Sequence, residues 1–263
     1  MGRIALIERV RAGDVFSLAG ELAIVTGGGT GLGFAMASCL AASGARVIIA
    51  GRRAAVLEEA AKKLGGRVFS EQYDVTDFSA APEFIGKIEE HYGTPSILIN
   101  NAGIHVKKPV EDHTQEDFHR VLATHVEGAF ALTRAMVPAM KRAGRGSILF
   151  IASMSSILGM PEIVAYSAAK SAYLGMVRSL AAELGASNIR VNAIAPGWIE
   201  TPMLHRALDG DPKRRQKILD RTPEQRFGSP QDIGWAAVYL CSPAASFING
   251  VLLPVDGGAS IGF

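Results

Sequence analysis

Short apolar runs alternate with longer, partly polar segments along most of the chain. The runs are rich in β-branched residues and predict seven strands, at residues 22–26, 46–50, 67–73, 96–100, 147–152, 190–195 and 251–255. The segments between them carry apolar residues at helical spacing and predict helices at 32–43, up to 64, at 81–91, within 114–143 and at 165–185. Because the strands are apolar almost throughout, both faces of the sheet must be covered. This predicts an α/β fold with a parallel sheet between two helical layers.

Two local features modify this pattern. Pro138 falls inside the predicted helix within 114–143 and is expected to bend or end it, since proline lacks the N–H that an interior turn needs. A long polar segment, residues 197–228, contains several prolines and glycines and interrupts the alternation. An excursion of this length is usually a binding loop, so we expect a substrate lid there. The sequence contains no repeat and no linker, which favours one domain spanning residues 1–263.

The bulk composition argues against several classes of protein. The formal net charge is only +2, and the densest basic stretch, residues 213–217, is typical of a solvated helix face rather than a nucleic-acid surface. Cys39 and Cys241 have neither disulfide-framework nor metal-ligand spacing, so we expect no metal and a reducing, cytoplasmic location. Charged residues interrupt the segment before Gly20, which argues against a signal peptide. No apolar run is long enough to predict a membrane span.

A glycine-rich segment joins the first predicted strand to the first predicted helix. It reads TGGGTGLG from Thr26 to Gly33. Glycines allow a tight turn and bring backbone N–H groups against a pyrophosphate, and the helix N-terminus adds partial positive charge. Taken alone the cluster could be a flexible turn, but its position favours a dinucleotide site in a Rossmann-type, doubly wound sheet. The expected contacts are Gly27, Gly29, Thr30, Gly31, Leu32 and Gly33.

The end of the second strand predicts which dinucleotide is bound. An acid there would bind the ribose of NAD, whereas an arginine suits the 2′-phosphate of NADP. The sequence offers Arg52 and Arg53 with no acid, which favours NADP and leaves NAD possible. Asp74, just past the third strand, is a candidate for the adenine amino group, or else a helix cap or turn residue beside Thr76.

Three residues suggest proton-transfer chemistry. Tyr166 and Lys170 are four apart on a predicted helix and so share a face. Ser153 ends the fifth strand, at the edge where α/β sheets bind ligands. A neighbouring ammonium favours a phenolate and lowers the pKa of a tyrosine from about 10. Tyrosine and lysine at this spacing are mostly structural when found alone, but here they accompany a glycine cradle and a strand-end serine.

In these motifs the chain resembles the short-chain dehydrogenase/reductase family. The glycine segment, residues 100–103 (NNAG), residues 166–170 (YSAAK) and residues 255–258 (VDGG) fit that family's signatures, over essentially the whole chain beyond Phe16. The resemblance implies that Ser153 holds the reacting oxygen and that Tyr166 is the general acid/base. Lys170 would bind the nicotinamide ribose and lower the pKa of Tyr166. It further implies cofactor contacts at Val75, Asn101, Ala102, Gly103, Tyr166, Lys170, Pro196, Gly197, Ile199 and Thr201.

One position departs from the family pattern. Family members usually carry an asparagine on the central helix that helps hold a water in the proton path to the lysine, whereas this chain has His125. The imidazole is a candidate for the same duty, since it donates, accepts and titrates near neutral pH. The alternative is a histidine that fills space while its backbone carbonyl holds the water.

The resemblance also narrows the substrate. Residues 16–20, residues 221–223 and the loop after Gly103 are most similar to gluconate 5-dehydrogenases and related sugar-acid reductases, with 3-oxoacyl carrier-protein reductases and a non-catalytic dinucleotide sensor as alternatives. The family implies a homotetramer, in which the apolar tail, residues 259–263, would take part. Candidate substrate contacts are His105 and Lys107, which could instead be solvated loop residues, together with Ser155 and the lid residues Trp198, His205 and Arg206. Ser155 and Ser156 are also rivals of Ser153 for the catalytic serine and rank below it.

Overall fold

Seven parallel strands form one sheet in the computed structural model, which describes residues 11–208 and 210–262. Residues 1–10, whose charges argue against a signal peptide, lie outside the described residues, as do Phe263 and the side chain of Arg206. The strands are β1 (Leu22–Thr26), β2 (Arg46–Gly51), β3 (Val68–Gln72), β4 (Ile97–Asn100), β5 (Gly146–Ile151), β6 (Ile189–Pro196) and β7 (Leu252–Val255). Their spatial order is β3-β2-β1-β4-β5-β6-β7. This confirms the predicted Rossmann-type parallel sheet.

Ten α-helices occur within the described residues. They are α1 (Ala12–Val15), α2 (Gly31–Ala42), α3 (Ala54–Leu64), α4 (Ala81–Tyr92), α5 (Gln115–Leu122), α6 (Gly128–Ala143), α7 (Val164–Leu184), α8 (Pro202–Leu208), α9 (Pro212–Arg221) and α10 (Pro230–Cys241). Helices α4, α6 and α7 pack on one face of the sheet, and α2, α3 and α10 pack on the other. The two helical layers bury both faces, as the apolar strands require.

Alternate residues of each strand enter opposite cores, because side chains point to opposite faces of a sheet. In β1, Ile24 packs toward α4 and α6, whereas Ala23 and Val25 pack toward α2 and α10. All five residues of β1 are buried. The strand is therefore fixed from both sides, and with it the position of the loop that follows it.

The helical pattern within 114–143 differs from the prediction in one respect. Helices α5 and α6 are joined without a break by a π-helical turn, Ala123–Glu127. Pro138 lies inside α6, which continues to Ala143, so the helix does not end at the proline. A π-helical turn inserts an extra residue and is frequently found at functional sites. His125 lies in this turn.

The strand order creates a crevice at one edge of the sheet. The chain moves outward from β1 to β2 and β3, and then returns to place β4 on the other side of β1. In open α/β sheets ligands bind at such a reversal, beyond the carboxyl ends of the strands. The segments that follow β1, β4 and β5 all open onto this edge.

Candidate active site

The glycine segment after β1 forms a tight, bare turn. Gly27 has φ +65°, a conformation that glycine adopts without strain. A Cβ at Gly33 would lie 2.3 Å from the carbonyl oxygen of Gly27, so the start of α2 packs directly on the loop. A Cβ at Gly31 would meet nothing within 4 Å. The loop therefore packs against the protein at Gly33 and leaves free space at Gly31, next to the N-terminus of α2. Free space beside a helix N-terminus suits a bound pyrophosphate.

The segment after β4 is tied to this loop. The Thr26 hydroxyl donates to the carbonyl of Ile99 at 3.2 Å and accepts from the backbone N–H groups of Asn101 and Ala102 at 2.9 and 3.0 Å. The Asn101 amide donates to the carbonyl of Thr26 at 2.8 Å. These bonds fix the two walls of the crevice relative to each other.

The residues expected to select the dinucleotide lie at the ends of β2 and β3. Arg52 and Arg53 are both exposed, and the amide of Gln72 donates to the carbonyl of Arg52 at 2.8 Å. Asp74 accepts from the N–H and the hydroxyl of Thr76 through Oδ1, at 2.9 and 2.8 Å, which is a turn role. Val75 is buried, and its carbonyl lies 2.5 Å from where a Cβ of Gly128 would be.

The proposed catalytic residues converge beyond the end of β5. Lys170 on α7 is buried and donates from Nζ to the carbonyl of Ile151 at 2.6 Å. Its Nζ lies 5.5 Å from the centroid of the Tyr166 ring. The Ser153 hydroxyl accepts from the N–H of Ser155 at 3.1 Å and is hydrogen-bonded to the Tyr166 side chain.

Burial dominates the electrostatics of this group. It lowers the pKa of Lys170 to about 7 and raises the pKa of Tyr166, against a hydrogen bond from Ser153 that lowers it. The expected lowering of the Tyr166 pKa by Lys170 together with the oxidised nicotinamide stays a prediction, because in the chain by itself burial outweighs the other influences on the phenol. Removing water penalises the phenolate and the ammonium alike. A further positive charge beside the phenol is needed to favour its ionised form.

His125 is buried beneath Tyr166, with the two rings edge-on and their centroids 5.5 Å apart. Its Nε2 faces the carbonyl and the N–H of Ile104 at 2.8 and 3.1 Å, and Nδ1 has no partner among the described residues. Burial and the charge of Lys170 lower the pKa of His125 to about 3. The ring is therefore neutral near pH 7. Its backbone carbonyl instead accepts from the Tyr173 hydroxyl at 2.8 Å.

The structure brings some of the candidate substrate residues to Tyr166. The His105 ring lies edge-on to the Tyr166 ring at 5.0 Å, and Lys107 forms an ion pair with Glu162 at 2.9 Å. Ser155 is buried, and its hydroxyl has no hydrogen-bond partner in the described structure. Trp198 is half-buried and His205 exposed, and neither has a described contact with Tyr166.

The last group of cofactor contacts that the family resemblance implies, Pro196 to Thr201, begins at the end of β6. The N–H of Gly197 donates to the carbonyl of Val255 at 3.0 Å, and a Cβ at Gly197 would lie 2.6 Å from Asp256. Ile199 is buried and pairs with Gly228 in a parallel bridge. The Thr201 hydroxyl accepts from the N–H of Leu204 at 3.3 Å, at the start of α8. Pro196 ends β6, so this whole segment borders the crevice.

Two residues of the site were not anticipated from the sequence. Tyr173 is fully buried, and its ring centroid lies 5.0 Å from Lys170 Nζ. Its spacing of seven from Tyr166 and three from Lys170 places it on the same helical face, a signal that was present in the sequence. Glu162 has φ +66° and pairs with Lys107, and no local motif predicts either property.

Neither a metal site nor a membrane-spanning helix occurs among the described residues. No group of three or more His, Cys, Asp or Glu residues there could hold a metal ion. None of the helices described is long and apolar enough to cross a bilayer.

Comparison with known proteins identifies the class. A family model described as enoyl-(acyl carrier protein) reductase matches residues 27–260. Together with the sheet and the site, this match shows that the chain belongs to the short-chain dehydrogenase/reductase family, whose members are oxidoreductases acting on alcohol and ketone groups.

Individual relatives share most of their length with this chain. Gluconate 5-dehydrogenase of Gluconobacter oxydans is 37% identical over 251 residues, covering 94% of this chain and 98% of the relative. The 3-oxoacyl-[acyl-carrier-protein] reductase of Thermotoga maritima is 35% identical, covering 93% and 99%. A gluconate 5-dehydrogenase of Burkholderia cenocepacia, solved with NADP and tartrate, is 32% identical with a TM-score of 0.92, covering 96% and 100%.

Proposed function

We propose that this oxidoreductase interconverts a secondary hydroxyl and a ketone on a sugar acid, of the gluconate and 5-ketogluconate kind, with NADP as the hydride carrier. The observation that carries the proposal is the convergence of Ser153, Tyr166 and Lys170 beyond β5, beside the glycine loop of β1. The intact tyrosine and lysine argue against a sensor without turnover.

The described residues fit a dinucleotide. Backbone N–H groups of Gly27–Gly33 would hold the pyrophosphate, and Asn101–Gly103 and Pro196–Thr201 would border the adenosine and nicotinamide ends. Arg52 and Arg53 favour NADP because both are exposed at the end of β2, where no acid competes. The relative from Burkholderia cenocepacia, solved with NADP, supports this choice. When bound, the oxidised cofactor supplies the hydride acceptor and a positive charge beside the phenol.

The residues of this chain manage the proton. In the oxidative direction, the hydroxyl of Ser153 donates a hydrogen bond to the oxygen of the substrate hydroxyl, and the Tyr166 oxygen accepts the proton of that substrate hydroxyl. In the reductive direction Tyr166 returns that proton to the carbonyl oxygen. Lys170 is held by the carbonyl of Ile151, and its two remaining N–H groups are available to the ribose and to the phenol side.

We assign His125 to positioning rather than to proton transfer. Its neutral ring holds the loop after β4 through Ile104, and its backbone carbonyl holds Tyr173 against Lys170. A Cβ at Gly103 would lie 2.2 Å from the His125 ring, so Gly103 leaves room for the imidazole where a larger residue would not.

A sugar acid is favoured by the polar wall next to Tyr166. His105 contacts the Tyr166 ring, and its pKa is lowered first by burial and then by the charges of Lys107 and Arg214. A wall of this kind suits a polyhydroxylated, anionic substrate. The gluconate 5-dehydrogenases among the relatives support it. The relative from Thermotoga maritima supports the second candidate, reduction of a 3-oxoacyl thioester.

A substrate panel tests the proposal. Gluconate, a neutral polyol and a 3-oxoacyl thioester would each be assayed with NADP(H) and NAD(H), using absorbance at the nicotinamide band. The sugar acid with NADP should give the highest kcat/KM, and a clear preference for the thioester would favour the second candidate function instead.

Tyr166→Phe should lower turnover by about 10²–10⁴-fold while NADP still binds. Equal turnover in Tyr166→Phe would refute the assigned proton donor.

We further propose a cytoplasmic homotetramer with one catalytic domain and residues 197–228 as its lid. Exposed apolar side chains on α6, on α10 and near β7, namely Phe130, Trp235 and Phe247, support contacts between copies. Both cysteines are free, as in a reducing compartment. Sedimentation of the purified enzyme, compared with a Trp235→Arg variant, tests the assembly.

A further inference from the structure

Glu162 holds an unusual backbone conformation next to the site. Its φ of +66° lies in the left-handed region, which a residue with a Cβ rarely adopts. Glu162 precedes α7 by two positions and Tyr166 by four. Such a conformation persists only where surrounding contacts determine it, and it is often found at functional sites.

Two contacts hold Glu162 in place. Its backbone carbonyl accepts from the N–H of Lys108 at 2.9 Å, and its carboxylate pairs with the Lys107 ammonium at 2.9 Å. Lys108 is held in turn by Asp117 of α5, at 2.6 Å. Residues 102–109 form neither helix nor strand, so their course depends on contacts of this kind.

These contacts connect the loop of residues 102–109 to the segment that precedes Tyr166. His105 lies two residues before Lys107, and its ring meets the Tyr166 ring edge-on, at 5.0 Å between centroids and 87° between planes. From Tyr166 the chain leads back four residues to Glu162. The ion pair therefore joins the loop carrying His105 to the segment that enters the helix of Tyr166.

We propose that Glu162 is a positioning residue whose ion pair with Lys107 holds His105 against Tyr166 and thereby sets which alcohols reach the phenol. The inference rests on the proposed reaction at Tyr166 but not on the identity of the substrate. Both partners of the pair are more than two-fifths exposed, with side-chain exposures of 42% for Lys107 and 43% for Glu162. Exposed pairs contribute little to stability, so the fold does not depend on this one.

Single substitutions test the pair. Glu162→Gln and Lys107→Met each remove one charge, and Glu162→Gly removes the carboxylate while keeping the carbonyl that accepts from Lys108. The substrate is whichever alcohol the unaltered enzyme oxidises, so failure of the sugar-acid assignment leaves the test intact. We expect KM for that alcohol to rise roughly fivefold in all three variants, with kcat nearly constant and NADP affinity unchanged.

The matched control is Glu59→Gln, which breaks the exposed Lys63–Glu59 pair of α3 (2.6 Å) and should leave KM unchanged. NMR signals of the His105 ring should shift in the three test variants and not in the control. If KM and the His105 signals stay as in the unaltered enzyme, the proposal is wrong.

A charge reversal separates positioning from direct binding. The double variant Lys107→Glu with Glu162→Lys restores an ion pair in which the two charges have exchanged positions. If the pair only positions His105, the double variant should recover KM to within about twofold of the unaltered enzyme. If the single variants raise KM and the double variant raises it further, Lys107 binds the substrate directly and the positioning role is refuted.

Discussion

The packing of Gly33 against the glycine loop gives a quantitative prediction for cofactor binding. In Gly33→Ala, the added methyl would lie 2.3 Å from the carbonyl oxygen of Gly27, 2.7 Å from the Asn101 amide and 2.8 Å from the carbonyl carbon of Gly27. Real Cβ atoms essentially never approach closer than 3.0 Å. Two of the three atoms are backbone, so the loop itself must move.

Overpacking of this kind typically costs about 1–3 kcal/mol. If that cost falls on the loop geometry that binds the pyrophosphate, NADP affinity should weaken by roughly 5- to 150-fold. The measurement is titration of the purified variant with NADPH, followed by nicotinamide fluorescence. Thermal unfolding without nucleotide, run in parallel, shows how much of the cost destabilises the fold instead.

Gly86→Ala is the matched control. Gly86 lies in α4, and a Cβ there would meet nothing within 4 Å. The substitution should stabilise the helix by up to about 1 kcal/mol and leave NADPH affinity unchanged. If Gly33→Ala binds NADPH as tightly as the unaltered enzyme, the glycine loop does not hold the nucleotide in the way argued above.

Three further predictions concern other parts of the molecule. The double variant Arg52→Ala with Arg53→Ala should raise KM for NADP by about 10- to 100-fold, because charge-assisted hydrogen bonds to the 2′-phosphate are lost. KM for NAD should stay nearly constant, and an equal rise in KM for both cofactors would exclude a 2′-phosphate contact. His125 has a pKa of about 3 in the fold against 6.5 unfolded, so its contribution to stability is complete above pH 6.5 and is lost as pH falls toward 3. Denaturant unfolding should therefore show about 2 kcal/mol less stability at pH 5 than at pH 7.5 from this group, a difference absent in His125→Asn. Thr114→Ala removes the hydroxyl that accepts from the N–H of Asp117 and should cost about 1 kcal/mol by the same assay, with NADP affinity as the control.

The sheet was predictable because its signal is local and repeated. Most strand residues are apolar, although β3 ends in Ser70, Glu71 and Gln72, and each predicted strand appears within about two residues of its predicted bounds. Helix α10 received no prediction, although Ser229, Pro230 and Asp232 provide a capping box with proline at the first position. The π-helical turn at His125 leaves no comparable mark, since the apolar pattern passes through it unbroken.

The site was predictable only in part. Sequence motifs indicate which residues lie at the site, but not how deeply those residues are buried or which residues from other loops contact them. Spacing placed Tyr166 and Lys170 on one face, and the structure brings Ser153 to the same edge. The pKa values of Lys170 and His125 depend on burial by residues distant in sequence, which no short pattern encodes. The pairing of Lys107 with Glu162 likewise depends on two loops meeting in space.

The bridge between Ile199 and Gly228 has a consequence for how this enzyme could change over evolution. The N–H of Gly228 donates to the carbonyl of Trp198 at 2.9 Å, and the N–H of Glu200 donates to the carbonyl of Gly228 at 2.8 Å, so the two ends of the segment are bonded together at its base. Residues 221–224 also pack against residues 257–262. Doubling the length of such a loop costs only about 0.6 kcal/mol in closure entropy. The part between Thr201 and Arg221 can therefore change in length and sequence while the bonds at its base persist, which would let new specificities arise without disturbing the sheet or the catalytic groups.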